Sequence, residues 1–156
     1  MMINIVLYQP EIPPNTGTIA RTCAITGMKL HLIKPLGFNI DDKAVKRAGL
    51  DYWHLLDLEV HESIEDFLEK YGNEEIYLAT TKTNRFYTEV NYSENAFIMF
   101  GKETAGLPAW LHEKYKENQI TIPMKQHEDI RSLNLSNSVN IVAFEALRQL
   151  DFPGLK

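Results

Sequence analysis

The sequence lacks several features that mark common protein classes. Its single cysteine, Cys23, excludes an internal disulfide and a cysteine-based zinc cluster, and favours a reducing compartment such as the cytoplasm. No apolar run reaches the roughly 18 residues that a membrane-spanning helix needs. The apolar run over residues 1–9 has no basic flank and no small-residue cleavage site, so it predicts a strand and not a signal peptide. We therefore expect a single domain over residues 1–156 with no membrane association.

Several motifs of nucleotide, metal and hydrolase chemistry are also missing. No G-x-G-x-x-G follows the first predicted strand, and no G-x-x-x-x-G-K-[ST] occurs, so dinucleotide and P-loop sites lack their glycines. The five histidines show no HExxH or paired spacing, which predicts no metal site. A G-x-S-x-G nucleophile elbow is absent as well.

The charge balance is acidic, with a net charge of −5. A sequence-blind nucleic-acid coat protein would be basic overall, whereas an RNA enzyme with a local basic patch remains compatible with this charge. Acidic residues crowd the region 59–75. Basic residues gather at Lys43, Lys46, Arg47, Lys82, Arg85, Lys125 and Arg131.

Apolar periodicity predicts strands that alternate with helices. The predicted strands are residues 3–8, 29–33, 75–80, 96–100 and 119–122. The predicted helices are residues 13–27, 41–47, 63–71, 108–115 and 136–150, with Asn15 or Thr16, Ser63 and Ser136 as N-caps. This alternation indicates an α/β fold with a mostly parallel sheet covered by helices on both faces. In the last helix Ile141 and Phe144 lie off the apolar stripe, which is either surface scatter or a subunit contact.

Three polar, glycine-bearing segments each follow a predicted strand, at residues 15–21, 100–108 and 122–137. One such loop alone would indicate only a turn. Ligands of open α/β sheets bind beyond the carboxyl ends of the strands, so three such loops together favour a binding site. The polar residues of interest in them are Arg21, Glu103, Ser132, Asn134 and Asn137.

These segments resemble the three signature motifs of the SPOUT methyltransferases, knotted enzymes that methylate RNA with S-adenosylmethionine. The similarity extends over residues 11–17, 47–52, 100–108, 122–124, 132–137 and 148–150. It is greatest to the minimal single-domain members, which act on the wobble nucleotide of certain leucine tRNAs, a cytidine or a modified uridine. Residues 82–92 and 124–131 resemble the family less.

The resemblance implies a C-terminal trefoil knot, a homodimer that buries Ile141 and Phe144, and binding of a tRNA anticodon arm. It implies that S-adenosylmethionine is held by Ala79, Gly101, Ile122, Met124, Ser132 and Leu133. It also implies that Arg21 is catalytic, supported by Asn15, and that substrate contacts come from Lys46, Arg47, Arg131 and Asn134. The family's arginine is proposed as a proton acceptor, although a free guanidinium titrates above about pH 12.

The sequence is also compatible with two other functions. The chain could be a non-catalytic knotted RNA-binding or assembly factor, which would not bind S-adenosylmethionine. It could also be a flavodoxin-like nucleotide-binding module, which would copurify with flavin.

Overall fold

A computed structural model describes residues 2–41, 43, 47 and 50–156 of the chain. Its strands form one six-stranded sheet in which every pair of neighbours is parallel. The strands are β1 (Asn4–Tyr8), β2 (Lys29–Ile33), β3 (Asp57–His61), β4 (Ile76–Ala79), β5 (Phe97–Phe100) and β6 (Gln119–Ile120). They are ordered β3-β2-β1-β5-β4-β6 across the sheet, so β1 lies in the interior between β2 and β5.

Four helices and one short 3-10 segment accompany the sheet within the described residues. The helices are α1 (Pro13–Thr26), α2 (Ile64–Tyr71), α3 (Ala109–Lys114) and α4 (Leu135–Gln149), and the 3-10 segment is Leu50–Leu55. The helix predicted at residues 41–47 falls mostly outside the described residues. No helix of the described part of the chain is long and apolar enough to cross a bilayer.

The two faces of the sheet carry separate hydrophobic cores, as the alternation of side chains along a strand requires. In β1, Ile5 and Leu7 point to one core while Val6 points to the other. The first core is completed by α1 and α4, and the second by α2 and α3. The predicted α/β fold with a doubly covered parallel sheet is therefore confirmed, whereas the trefoil knot remains a prediction.

The sequence prediction missed β3. This strand lies at the edge of the sheet and is only partly buried, and its sequence Asp-Leu-Glu-Val-His carries three titratable side chains. Its Glu59 carboxylate accepts the Lys29 and Lys70 ammonium groups at 2.9 and 2.6 Å, so ion pairs replace the apolar contacts that mark an interior strand.

The predicted helix caps were partly wrong. Ser63 does cap α2, because its hydroxyl accepts the backbone N–H of Asp66 at 3.1 Å. Helix α1 instead begins after Ile12, which offers no side-chain cap, and α4 begins after Asn134 rather than Ser136. The glycine stop of α1 is confirmed: Gly27 adopts φ 77°, a left-handed conformation that glycine reaches without strain.

Two histidines on neighbouring strands, His31 on β2 and His61 on β3, lie in contact, although their spacing in the sequence did not predict a pair. Nδ1 of His31 lies 3.0 Å from Nε2 of His61, and Nε2 of His31 lies 2.9 Å from Oδ1 of Asn4. The Asn4 amide nitrogen donates to two backbone carbonyls, so its oxygen faces His31 as an acceptor. The neutral pair therefore has His31 protonated on Nε2, with His61 donating to its Nδ1.

With Glu59, these histidines form a group of three potential metal ligands among the described residues. Both nitrogens of His31 are already used in hydrogen bonds, and two lysine ammonium groups contact the Glu59 carboxylate. The group is thus accounted for as a hydrogen-bonded part of the core.

Burial makes the histidine pair sensitive to acid. Desolvation, reinforced by the neighbouring His61, lowers the pKa of His31 to about 3, and desolvation also lowers the pKa of His61. Between pH 6.5 and about 3 the unfolded chain binds a proton on His31 that the folded chain does not, so acid favours unfolding.

We predict that the free energy of unfolding falls as the pH is lowered from 6.5 to 5, by up to about 1.4 kcal/mol per pH unit for each buried histidine. Urea unfolding across this range measures the slope. His31→Asn should flatten it, whereas the same change at the exposed His127 should leave it intact. An equal slope in wild type and His31→Asn would contradict the assignment.

Candidate active site

A cleft of about 490 Å³ opens where strands β4, β5 and β6 end. Ala79, Phe100 and Ile120, the carboxyl-terminal residues of these strands, form part of its wall. The remaining wall comes from residues 80–82, from residues 101–107, from His112 on α3, and from Thr121, Ile122, Met124 and residues 131–134. Residues at the start of α1 and in the first half of α4 complete it. The three segments singled out in the sequence thus meet at one site, at the edge of the sheet expected for ligands.

Glu103 links the second of these segments to the start of α1. Its carboxylate accepts the backbone N–H groups of Glu11 and Ile12, both at 2.9 Å, and the side-chain amide of Asn15 at 3.2 Å. An α-helix leaves its first N–H groups without partners, and its N-terminus favours negative charge. The first two residues of α1, Pro13 and Pro14, have no N–H group, so Glu103 accepts the two backbone donors just before the helix, those of Glu11 and the N-cap residue Ile12.

Asn15 and Asn134 continue this contact to the third segment. The Asn134 amide donates to Oδ1 of Asn15 at 3.2 Å, and Oδ1 of Asn134 accepts the backbone N–H groups of Ser136 and Asn137 at 2.9 and 3.3 Å. Asn15 is only 7% exposed, and both the nitrogen and the oxygen of its side-chain amide have hydrogen-bond partners within the protein. The Glu103–Asn15–Asn134 network joins all three segments and caps two helices.

A second, reciprocal contact holds the same two loops. The Glu11 carboxylate accepts the backbone N–H and the hydroxyl of Thr104 at 3.0 and 2.8 Å. These two hydrogen bonds, with a smaller contribution from Lys102, lower the pKa of Glu11. The contact is therefore reciprocal: Glu103 binds the backbone at Glu11 and Ile12, and Glu11 binds the backbone at Thr104.

The loop after β5 folds tightly on itself. Gly106 donates to the carbonyl of Lys102 at 2.9 Å with φ 67°, and a Cβ on Gly101 would lie 2.3 Å from the carbonyl carbon of Gly106. No side chain fits at that distance, so Gly101 is required for the loop to close.

All the residues predicted to bind the cofactor line this cleft. They are Ala79, Gly101, Ile122, Met124, Ser132 and Leu133. Of the predicted substrate residues, Arg131 and Asn134 also line it, Arg47 is exposed and outside its lining, and Lys46 lies outside the described residues.

The two residues predicted to be catalytic are separated. Asn15 lines the cleft, where its amide is engaged in the network, so its position fits a role in holding the loops. Arg21 lies six residues further along α1, about 9 Å along the axis and about 120° around it. It is exposed and does not line the cleft of its own chain.

Three titratable residues to which the sequence analysis gave no role in the cofactor site also line the cleft: Lys82, Lys102 and His112. Desolvation, followed by the charge of Lys82, lowers the pKa of His112. Lys82 and Lys102, together with Arg131, give the cleft wall positive charge although the whole chain is acidic.

Comparison with known proteins agrees with this geometry. The model of the SpoU rRNA methylase family matches residues 2–144, and the chain belongs to that family. The tRNA (cytidine(34)-2'-O)-methyltransferase of Yersinia pestis is 49% identical over 98% of this chain and 97% of its own length. The enzyme of the same name from Escherichia coli K12 is 48% identical, with the same coverage.

Solved structures place the fold in the same group. A structure described as giving insights into the 2-OH methylation of C/U34 on tRNA superposes with a TM-score of 0.90 and 41% identity. The match covers 96% of this chain and 97% of that one. The resemblance to SPOUT methyltransferases is therefore confirmed at the level of family and fold.

The network predicts that Glu103 supports both stability and the shape of the cleft. Glu103→Ala should lower the free energy of unfolding by about 1 to 2 kcal/mol, because two backbone donors at the start of α1 lose their acceptor. Chemical unfolding measures this loss. Glu113→Ala, at an exposed glutamate paired only with Lys116, should cost less than about 0.5 kcal/mol. Equal effects of the two changes would contradict the capping role.

Proposed function

We propose that this protein transfers a methyl group from S-adenosylmethionine to the ribose 2'-hydroxyl of the wobble nucleotide of tRNA, a cytidine or modified uridine at position 34, in leucine isoacceptors. The observation that carries the proposal is the convergence of three motif segments on one cleft in a chain of the SpoU methylase family. The choice of target nucleotide is supported by the relatives named tRNA (cytidine(34)-2'-O)-methyltransferase, which align with this chain over nearly their whole length. We place the reaction in the cytoplasm.

The cleft fits a ligand of the size and mixed polarity of S-adenosylmethionine. Its volume of about 490 Å³ falls within the range of roughly 300 to 1,000 Å³ typical of such sites. Leu107, Ile122 and Val142 offer apolar contact, and polar residues such as Thr80 and Ser132 also line the wall. Ala79, Gly101, Ile122, Met124, Ser132 and Leu133 would hold the cofactor.

The bound cofactor would supply an electrophilic methyl group on a sulfonium. The contribution of the protein is alignment, since an in-line displacement depends on holding two groups in one orientation. The Glu103–Asn15–Asn134 network fixes the loops around the cleft and so restricts that orientation. A side-chain amide neither gains nor loses a proton near neutral pH, which supports a positioning role for Asn15.

Positive charge around the cleft would bind the RNA backbone. Lys82, Lys102 and Arg131 line the cleft, and Arg47 and Arg85 are exposed on the described part of the chain. An anticodon arm would contact this region, with Asn134 at the boundary between cofactor and substrate. Because few phosphates would be neutralised, binding should weaken only moderately with salt.

The exposed face of α1 and α4 supports a homodimer. Ile25, Ile141 and Phe144 are 52%, 37% and 43% exposed, and the hydroxyl of Thr22 on α1 donates to Oδ1 of Asn140 on α4 at 2.7 Å. The two helices therefore lie side by side and present apolar groups outward. A second copy would cover them.

Arg21 belongs to the exposed side of α1, as Ile25 does four residues later. We propose that it reaches the 2'-hydroxyl or an adjacent phosphate at the cleft of the second copy. Guanidinium groups titrate above about pH 12, so an orienting hydrogen bond suits this side chain better than proton abstraction.

The reaction itself is tested by incubating the protein with S-adenosylmethionine and an anticodon stem-loop of a leucine tRNA. We expect one methyl group on the ribose of the wobble nucleotide, located by mass spectrometry of nuclease fragments, and none on a stem-loop already methylated there. Methylation of a base, or of another ribose, would overturn the assignment. Failure to bind S-adenosylmethionine in calorimetry would favour the non-catalytic RNA-binding factor.

A shared site predicts complementation between two inactive variants. Arg21→Ala removes the guanidinium, and Ala79→Phe fills the cleft at the end of β4. In a refolded equimolar mixture, each heterodimer would contain one site without either change, restoring about a quarter of the wild-type activity. An inactive mixture in which heterodimers are demonstrated by affinity tags would show that Arg21 serves its own cleft.

A further inference from the structure

An exposed aromatic residue lies beside the cleft, in one of the two segments that resemble the family less. Phe86 is 42% exposed, although phenylalanine is usually buried. It lies between β4 and β5, in the connection that also carries Lys82 and Arg85.

The backbone at Phe86 is held in place relative to the cleft. Phe86 forms a parallel bridge with Thr121, in which Thr121 donates to the carbonyl of Arg85 and Tyr87 donates to the carbonyl of Thr121, both at 2.8 Å. Thr121 lines the cleft. Bridged strands lie about 4.8 Å apart and paired side chains leave the same face, so Phe86 flanks the cleft wall.

Further contacts hold the turn that carries the ring. The backbone N–H of Phe86 donates to the Glu89 carboxylate at 2.9 Å. Nη1 of the neighbouring Arg85 donates to the carbonyl of Glu117 at 2.9 Å, which holds this cation beside the bridge. The backbone that carries the ring is therefore held in place, and Arg85 and the cleft-lining Lys82 belong to the same connection.

Fixed aromatic rings flanked by cations are a common way to hold unpaired nucleotides, since the ring stacks on a base while the cations contact phosphates. We propose that Phe86 is a stacking platform for a nucleobase of the anticodon loop next to the nucleotide in the cleft. This inference rests on the proposed function in taking RNA as the ligand. It assigns to Phe86 a part in substrate binding and none in the chemical step.

The test is equilibrium binding of a leucine anticodon stem-loop to the intact protein, measured by fluorescence with 2-aminopurine at each position beside the wobble nucleotide in turn. Phe86→Leu keeps an apolar side chain but removes the stacking surface. We expect the dissociation constant to rise about tenfold and the quenching at one position to be lost. Phe86→Tyr should restore both, and calorimetry should show unchanged affinity for S-adenosylmethionine.

Phe152 provides a matched control. It is 41% exposed and follows the carboxyl end of α4, a helix of 15 residues whose opposite end lies at the cleft. Phe152→Leu should leave RNA binding unchanged. An unchanged dissociation constant in Phe86→Leu, an equal loss in Phe152→Leu or a persistent loss in Phe86→Tyr would overturn the proposal.

Binding and turnover separate this inference from the proposed function. RNA that is bound with Phe86-dependent quenching but never methylated would support the stacking platform and contradict the enzyme. Methylation of the wobble ribose with no effect of Phe86→Leu on binding or quenching would support the enzyme and contradict the platform.

Discussion

The carboxylate of Glu103 makes the interaction on which the site depends. It caps α1 from the loop after β5 and holds Asn15, which in turn contacts Asn134 at the start of α4. Three segments that are far apart in the chain are joined in one wall in this way. Without that carboxylate, the backbone N–H groups of Glu11 and Ile12, just before α1, and the side-chain amide of Asn15 would lose an acceptor at the edge of the cleft.

This arrangement assigns different tasks to the polar residues of the motifs. Glu103, Asn15 and Asn134 use their hydrogen-bonding capacity on one another and on helix ends, so they shape the cleft. Lys82 and Arg131 line it and are suited to contact a ligand. The cleft can present positive charge to RNA within an acidic protein because Lys82, Lys102 and Arg131 line its wall.

Much of the fold could be predicted from sequence because its interior strands are continuous apolar runs. Strands β1 and β5 are examples, with both faces buried between helices. Strand β3 was not predicted because it lies at an edge of the sheet, where Glu59 forms ion pairs in place of apolar contacts. The contact between His31 and His61 could not be predicted either, because it depends on how β2 and β3 are aligned in the sheet.

The motif segments could be found from the sequence, but the hydrogen bonds that join them could not. Asn15 and Ser136 were expected to cap their own helices, as such residues usually do when only local contacts are considered. The cap of α1 comes from Glu103, 92 positions away from Glu11, and the position of Ser136 is taken by Asn134. A contact of that range follows from the order of strands in the sheet, which periodicity does not specify.

The most direct test of the central claim is a crystal structure of the protein with S-adenosylhomocysteine, the product of methyl transfer. The account predicts the ligand in the cleft bounded by Ala79, Gly101 and Leu133, with the Glu103–Asn15–Asn134 hydrogen bonds intact around it. Ligand bound at another site, or bound in the cleft only after those hydrogen bonds break, would contradict it.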